Sequence, residues 1–456
     1  MAPSNSVLDL PPEPSLALPR SFWKTFVKEY WNRQPTVLRG LFPAHFPTPQ
    51  DAFEAVLACG ERYRKGDFKQ QIRIYIEHEP EPGQVPDYSS IFSLSRYLPV
   101  PEDRTLDGYT ARMTHQLKGR RFGVLLNNLQ TYHWNHWLQV KSFLGGFFQA
   151  VGVPMSGVDS TLFMGNYLYT PFGVHKDDLH IFNFVIQGQK VMSLWPFEKL
   201  AHREELPKDG PNLIDHNALI HLRDKADEEQ LLSQAEFLEA SPGDILFWPA
   251  SYWHRAEPGK GMVVSASVGF NFRPPEFVEM APEHEWPDRL RHTEMPGAPK
   301  WKVPNALKSS IGKRGKRENV MAADRESTAA WVRFLTNGAM EGVPPEDRSA
   351  KPVTGQDWVR AHPSRPIVTM PLTGGQVLVA ANGRSSMLAA NATVSRRMEK
   401  LVATLNAGTP VRVKELEEAF FTKLEGRTFK RGALQGLLND LVRWRAVQHC
   451  EPGQEA

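Results

Sequence analysis

Between residues 160 and 273 the chain breaks into short runs rich in β-branched and aromatic residues: STLFMGNYLY, LHIFNFVIQG, KVMSLWP, GDILFWP and MVVSASVGFNF. Gly, Pro or Asp punctuates them. Runs this short, bounded by turn residues, predict many short strands closed into a β-sandwich or barrel rather than a helical fold. A polar stretch, DKADEEQLLSQAEFLE at 224–239, interrupts them and reads as a helical insertion.

The flanks carry a different periodicity. SFWKTFVKEYWNRQP repeats Phe22, Phe26 and Tyr30 at helical spacing, with Ser21 as N-cap and Pro35 as terminator. A second helix is expected over Pro49–Arg64, with Ala52, Phe53, Val56 and Leu57 inward, and a strand over 71–79. YHWNHWLQVKSFLGGFFQA (132–150) reads as a buried helix. Its His133 and His136 have no acidic partner at metal-binding spacing and are read as structural or surface residues. Residues 281–320 are proline-rich and charged, with a basic run KSSIGKRGKR at 308–317, and suggest a linker or exposed loop. Another helix is expected at 326–338. The last 65 residues carry three apolar helical stripes, VSRRMEKLVATLN, VRVKELEEAFF and FKRGALQGLLNDLVRWRAV, and suit a winged-helix-like module.

Composition narrows the class. In 456 residues, 41% are hydrophobic and the net charge is +3, so the chain is neither a disordered polymer nor a global polyanion binder. Two cysteines, Cys59 and Cys450, make no disulfide framework and no zinc-ligand set. The first twenty residues lack a basic start followed by an apolar core, and no run of about 18 apolar residues occurs. A soluble, cytoplasmic protein with no membrane partner is the expectation.

The informative chemistry is in TPFGVHKDDLHIFNFVIQGQKVMSLWP (170–196). His175 and Asp177 are two apart, so on a strand both point to one face and can converge on one metal. SPGDILFWPASYWHRAEP (241–258) supplies a third ligand, His254, just after a turn and a buried strand. Two histidines and a carboxylate leave coordination positions open, as non-haem Fe(II) oxygenases require, whereas structural zinc closes its shell. H-x-D alone is a weak signal; the distal PGD–strand–Trp–His strengthens it. Lys190, fifteen positions after His175 and following the turn Gln187-Gly188-Gln189, could offer a cation to a dicarboxylate or be a solvated strand-end lysine.

The H-x-D, the aromatic strand after it, the G-x-K and the PGD…WH segment resemble the cupin-type JmjC hydroxylases, among them the ribosomal oxygenases and the asparaginyl hydroxylase acting on hypoxia-inducible factor. EYWNRQPTVLRGLF (29–42) is similar to that family's N-terminal segment. The resemblance implies a mainly β catalytic core (a double-stranded β-helix of jelly-roll or cupin type) with flanking helices and a C-terminal helical winged-helix-like domain. It divides the chain into a flexible arm (1–20), an oxygenase domain (21–275), a linker and helical, possible dimerisation, region (276–345) and a winged-helix-like domain (346–456).

By the same resemblance His175, Asp177 and His254 hold Fe(II), and Lys190 pairs with the remote carboxylate of 2-oxoglutarate. Asn271 falls near a position that faces the cosubstrate and is equally an ordinary strand residue. Asn166, Tyr167 and Thr170 precede the H-x-D and could line the pocket. Phe172 stands where relatives carry Thr or Ser. Asp178 should face away from the ligands, and His180 is read as a supporting or core residue. The implied reaction uses O2 and 2-oxoglutarate to hydroxylate a side chain of a protein or peptide, a ribosomal protein or a ribosomally made peptide, releasing succinate and CO2. Two other readings stay open: a metal-binding cupin sensor whose C-terminal module reads DNA through Lys423, Arg427, Lys430 and Arg431, and a non-oxidative cupin enzyme. Nucleic acid is not the expected partner. A homodimer through the helix at 326–338 is a further expectation.

Overall fold

Both faces of a strand such as HIFNFVIQ are apolar, which demands cover on both sides, and the computed structural model supplies it. The structure describes residues 17–41, 47–67, 72–78, 82–84, 87–90, 94–154, 157–167, 172–201, 203, 218–257, 261–271, 317–422 and 429–452. The strands of the first unit are β1 (Thr36–Leu38), β2 (Ile72–His78), β3 (Asp87–Ser90), β4 (Phe122–Leu126), β5 (Val158–Gly165), β6 (Val174–Lys176), β7 (His180–Gln187), β8 (Lys190–Pro196), β9 (Ala218–Ile220), β10 (Glu236–Ala240), β11 (Ile245–Trp248), β12 (Tyr252–Glu257) and β13 (Val263–Phe270). They form an eight-stranded sheet, β1-β11-β7-β13-β5-β4-β2-β3, and a five-stranded sheet, β10-β8-β12-β6-β9. All pairings within them are antiparallel. From β5 to β8, and again from β11 to β13, the chain alternates between the two sheets. Residues distant in sequence are thereby wound onto neighbouring strands.

Ile181, Val185, Leu246 and Trp248 of the larger sheet pack against Met192, Leu194 and Ala256 of the smaller one. The opposite face of β7, carrying Phe182 and Phe184, packs against helices. Those helices are α1 (Arg20–Glu29), α2 (Pro49–Arg64), α3 (Leu106–Gln116) and α4 (Trp134–Val151). Phe143 of α4 meets Trp23 at 5.0 Å and Phe182 at 5.1 Å, both edge to face. Each such pair adds about 0.5–1.5 kcal/mol beyond its burial. Helix α2 has the expected bounds, set by a capping box between Thr48 and Asp51 with Pro49 in the first turn. Helix α1 corrects the expectation: Pro19, not Ser21, occupies the N-cap, and the helix stops at Glu29 rather than at Pro35. Asn32, at φ 56°, then carries the chain through a left-handed turn.

The insertion is helical only in part. A short α5 (Phe197–Leu200) and α6 (Lys225–Leu232) are followed by β10, which pairs with β8 from Glu236↔Leu194 to Ala240↔Lys190. Residues 236–239, expected to be helical, are strand because the edge of β8 offers them a hydrogen-bonding partner. Among the described residues no helix is long and apolar enough to cross a membrane.

The C-terminal part holds α7 (Arg317–Thr336), β14 (Trp358–Ala361), β15 (Val368–Leu372), β16 (Gln376–Ala381), β17 (Arg384–Ala389), α8 (Ala392–Asn406), β18 (Val411–Arg412), α9 (Val413–Phe421), α10 (Arg431–Arg443) and β19 (Val447–Cys450). Sequence reading found the three helices and missed the sheets β15-β16-β17 and β18-β14-β19. The region is therefore mixed rather than helical. The missed signal was Asn382-Gly383, at φ 49° and 81°, the two-residue turn of a hairpin between alternating apolar runs. Ala329 and Val332 of α7 are buried against this meander, so that face of the helix serves its own chain. The arm up to residue 16 and the basic run at 308–316 lie outside the described residues.

Candidate metal centre

Strand β12 pairs with β6 so that His254 lies opposite His175. Partners across an antiparallel pair share a face, and Asp177, just past the end of β6, joins them. One ligand atom from each of His175, Asp177 and His254 lies within 4.8 Å of the others. Among the described residues this is the one group of three or more His, Cys, Asp or Glu side chains that converges so. Asp177 Oδ2 is 3.6 Å from His254 Nε2. The two rings are 4.2 Å apart.

Each imidazole is oriented through its other nitrogen. His175 Nδ1 is 3.1 Å from the Gly173 carbonyl and His254 Nδ1 is 3.5 Å from that of Tyr252. A carbonyl only accepts, so these contacts put the proton on Nδ1 and leave Nε2 as the free lone pair, the tautomer a metal requires. Burial, and then the neighbouring His175, hold His254 well below the usual imidazole range, so it is neutral. Two imidazoles and one carboxylate, with no thiolate among them, fit a divalent cation with open coordination positions.

The group opens on a cavity of about 100 Å³ between the two sheets. Ile181, Met192 and Trp248 give it an apolar lining, and Lys190 reaches into it. Lys190 is 3% exposed, its Nζ donates to Tyr167 Oη at 3.2 Å and lies 5.7 Å from the Phe163 ring centre. It is not the solvated strand-end residue that sequence alone allowed. Burial lowers its ammonium to about 8 and raises the Tyr167 phenol. Among the described residues no carboxylate forms an ion pair with Lys190.

The other residues singled out from sequence are scattered. Thr170 lies outside the described residues. Asn166 accepts from the Phe122 N–H at 2.9 Å and serves the β4–β5 junction. Asn271, one residue past β13, is not among the described residues that line the cavity. Phe172 packs edge-on against His175 at 5.6 Å. His180 lies 4.1 Å from Trp31 and accepts from the Ala250 N–H, and burial lowers it to about 3, so it supports the fold. His133 caps α4 and faces Asp51 at 3.3 Å, and His136 meets Ser160 Oγ at 2.5 Å.

Sequence reading missed a polar rung across the cavity. Thr161, Ser267 and Asn183 stand side by side on β5, β13 and β7. Asn183, 1% exposed, donates to Ser267 Oγ at 2.7 Å, while its Oδ1 meets no partner among the described residues. Polar residues at inward positions of otherwise apolar strands were the available signal. Also missed was what joins two of the family-like motifs. Asp244 of the PGD turn accepts from Arg39 Nη1 at 2.8 Å, Gly40 N at 2.9 Å and Ser241 N at 3.0 Å.

Residues 127–276 match the family described as a cupin-like domain. Curated proteins contain no match. Solved structures similar to this chain include the X-ray structure of E. coli ycfD, 13% identical, with 96% of this chain and 100% of that chain covered and a TM-score of 0.43. The ribosomal oxygenase YcfD from Escherichia coli in complex with cobalt and succinic acid is 14% identical, with 94% and 98% covered and a TM-score of 0.41. Its complex with cobalt and 2-oxoglutarate has the same identity and coverage, 14%, 94% and 98%, with a TM-score of 0.39. Likeness at this level transfers no residue's role.

Proposed function

With a cupin-like domain at residues 127–276 as the premise, we propose that this chain is an Fe(II)- and 2-oxoglutarate-dependent oxygenase that hydroxylates a side chain of a protein or peptide, releasing succinate and CO2. The observation that carries the reading is the convergence of His175, Asp177 and His254 within 4.8 Å on the cavity that also holds Lys190. Those three residues would hold the iron, which when bound supplies, with O2 and 2-oxoglutarate, oxidation of an unactivated C–H bond.

The chain's own contribution follows from its geometry. Lys190, which lines the cavity and donates to Tyr167 Oη, would supply the ammonium that pairs with the remote carboxylate of a dicarboxylate. A buried cation without a counter-anion is stabilised most by an anionic ligand. Ile181, Met192 and Trp248 would give the space between an apolar lining that disfavours water. The partly exposed Asp177, 35% accessible in its side chain, marks the side from which substrate approaches.

Around this centre we divide the chain as the resemblance does: arm 1–20, oxygenase 21–275, connecting region 276–345 and C-terminal module 346–456. Strands β18, β14 and β19 beside α8, α9 and α10 support a winged-helix-like module, used for interaction rather than DNA reading. Of the four cations weighed for DNA, Lys423 and Arg427 lie outside the described residues and Arg431 lies over the Phe421 ring at 5.4 Å. A ribosomal protein or a ribosomally made peptide as substrate, and a cytoplasmic location, complete the proposal.

The test is an anaerobic titration of metal-free protein with Fe(II) and 2-oxoglutarate, followed by visible absorption, with His175→Ala as control. A charge-transfer band that needs both additions and is lost in the variant supports the reading. Metal binding without the band refutes it and favours a sensor or a non-oxidative cupin.

A further inference from the structure

We propose that the cleft between α2, the loop after β4 and residues 341–348 is the docking groove for the polypeptide that is oxidised. The inference rests on the functional reading above and adds the surface that recognises the substrate.

The cleft is open to solvent and offers about 920 Å³, against about 100 Å³ for the metal cavity. Ala58 and Arg62 of α2, with Lys65 just past its end, line one side, and Glu341, Val343 and Arg348 line the other. Its floor, Asn127 and Asn128, is hydrogen-bonded to the lining of the metal cavity. Thr161 Oγ1 is 3.3 Å from Asn127 Oδ1, and Asn128 N donates to Asp159 Oδ1 at 3.0 Å. Thr161 and Asp159 both face the cavity. The groove and the metal cavity thus share the wall formed by Asp159 and Thr161.

The far wall is built into the catalytic unit. Val158 N donates to Ala339 O at 2.8 Å and Glu341 N to Val158 O at 2.9 Å, tying residues 339–341 to the start of β5. The fully buried Gln130 donates to Glu341 O at 2.7 Å, and Arg384 donates to Pro344 O at 2.7 Å. A groove held this way needs little reorganisation on binding.

Its chemistry selects the occupant. Arg384 is matched by Glu346 at 3.4 Å, and Arg62 lies over the Tyr132 ring at 4.9 Å. The lining as a whole carries Arg62, Lys65, Arg348 and Arg384 beside Glu61, Glu341 and Glu346, so both signs are present. Acids inside the groove oppose a polyanion. A lining this polar is also unlike a small-molecule pocket, which is mostly apolar. An extended polypeptide, with amides along its length and side chains of either sign, fits both.

The experiment uses the full chain with Fe(II) and 2-oxoglutarate, and two degenerate synthetic peptide pools, one of fifteen-residue and one of five-residue peptides. The readout is the mass gain of one oxygen. Ala58→Trp and Val343→Trp fill the groove from opposite walls, so misfolding of one leaves the other. The expected result is at least roughly tenfold more oxidation of the long pool. Both variants should remove that advantage while leaving short-pool oxidation and the charge-transfer band unchanged. Equal oxidation of both pools, or a length advantage that survives both variants, overturns the docking groove and leaves the oxygenase reading intact. An intact band with no oxidised peptide in either pool overturns it as well. Loss of the band in the unmodified protein brings down the oxygenase reading itself, and the groove with it.

Discussion

Replacing Lys190 with methionine separates the cost of a buried ammonium from its use. The side chain is 3% exposed, and burial brings its ammonium from an ordinary 10.5 to about 8. That gap corresponds to ~3 kcal/mol by which the folded protein disfavours the charged form at neutral pH. Methionine removes the charge at similar length. It also leaves the Tyr167 hydroxyl without its 3.2 Å donor, a loss of about 1–2 kcal/mol. The metal-free variant should therefore be more stable than the parent by a net ~1–2 kcal/mol in urea denaturation at pH 7. The pH dependence has a definite sign. A lysine depressed by folding binds fewer protons folded than unfolded between about 8 and 10.5, so the parent gains stability as pH rises through that window. The variant should lack that gain. Cosubstrate binding should move the other way: calorimetric affinity for 2-oxoglutarate, with Mn(II) on the ligands, should fall by about 100-fold or more once a buried charge pair loses its cation. An affinity unchanged within about threefold would refute the assignment of Lys190. A variant less stable by more than about 1 kcal/mol would show that the ammonium is already compensated within the protein.

Asp244→Ala should destabilise by about 2–4 kcal/mol in urea denaturation, since it strips three donors, two of them backbone N–H groups of Gly40 and Ser241. Although burial raises this carboxyl, the hydrogen bonds outweigh it and hold it below the ordinary 3.8. Its contribution is therefore present above that value and is lost as pH falls through the folded value; an acid limb unchanged in the variant would contradict this. On the reverse face of β12, the buried Arg255 bonds Glu257 at 2.8 Å and Glu228 at 2.6 Å. Arg255→Met leaves both carboxylates unmatched and should cost ~3–5 kcal/mol, read by urea denaturation; a change below about 1 kcal/mol would show the network to be dispensable. Gly383→Ala meets both a left-handed φ of 81° and the Asn337 side chain at 2.8 Å, so a loss of about 2–4 kcal/mol is expected, and an unchanged melting temperature would count against the hairpin geometry.

Local pattern made much of this molecule legible. The alternation in IRIYIEH marks β2 because inward and outward residues alternate along a strand covered on one face. The cap at Thr48 marks α2 because its hydroxyl and the Asp51 carboxylate satisfy the first turn. The two-residue spacing of His175 and Asp177 put both on one face before any partner was known. What the chain could not display is which strands become neighbours. Residues 236–239 look helical in isolation and become strand because β8 has an open edge. Lys190 reads equally as a dicarboxylate's cation or a solvated strand-end lysine until Phe163 and Tyr167 close over it. Asn183 becomes a cavity residue when β7 pairs with β13 and faces the smaller sheet. His175 and Asp177 depended on residues two apart, which covalent geometry orders by itself. Bringing His254 beside them required the winding of strands between two sheets, and that is settled by burial of both faces over the whole domain, a cooperative property that no single segment carries.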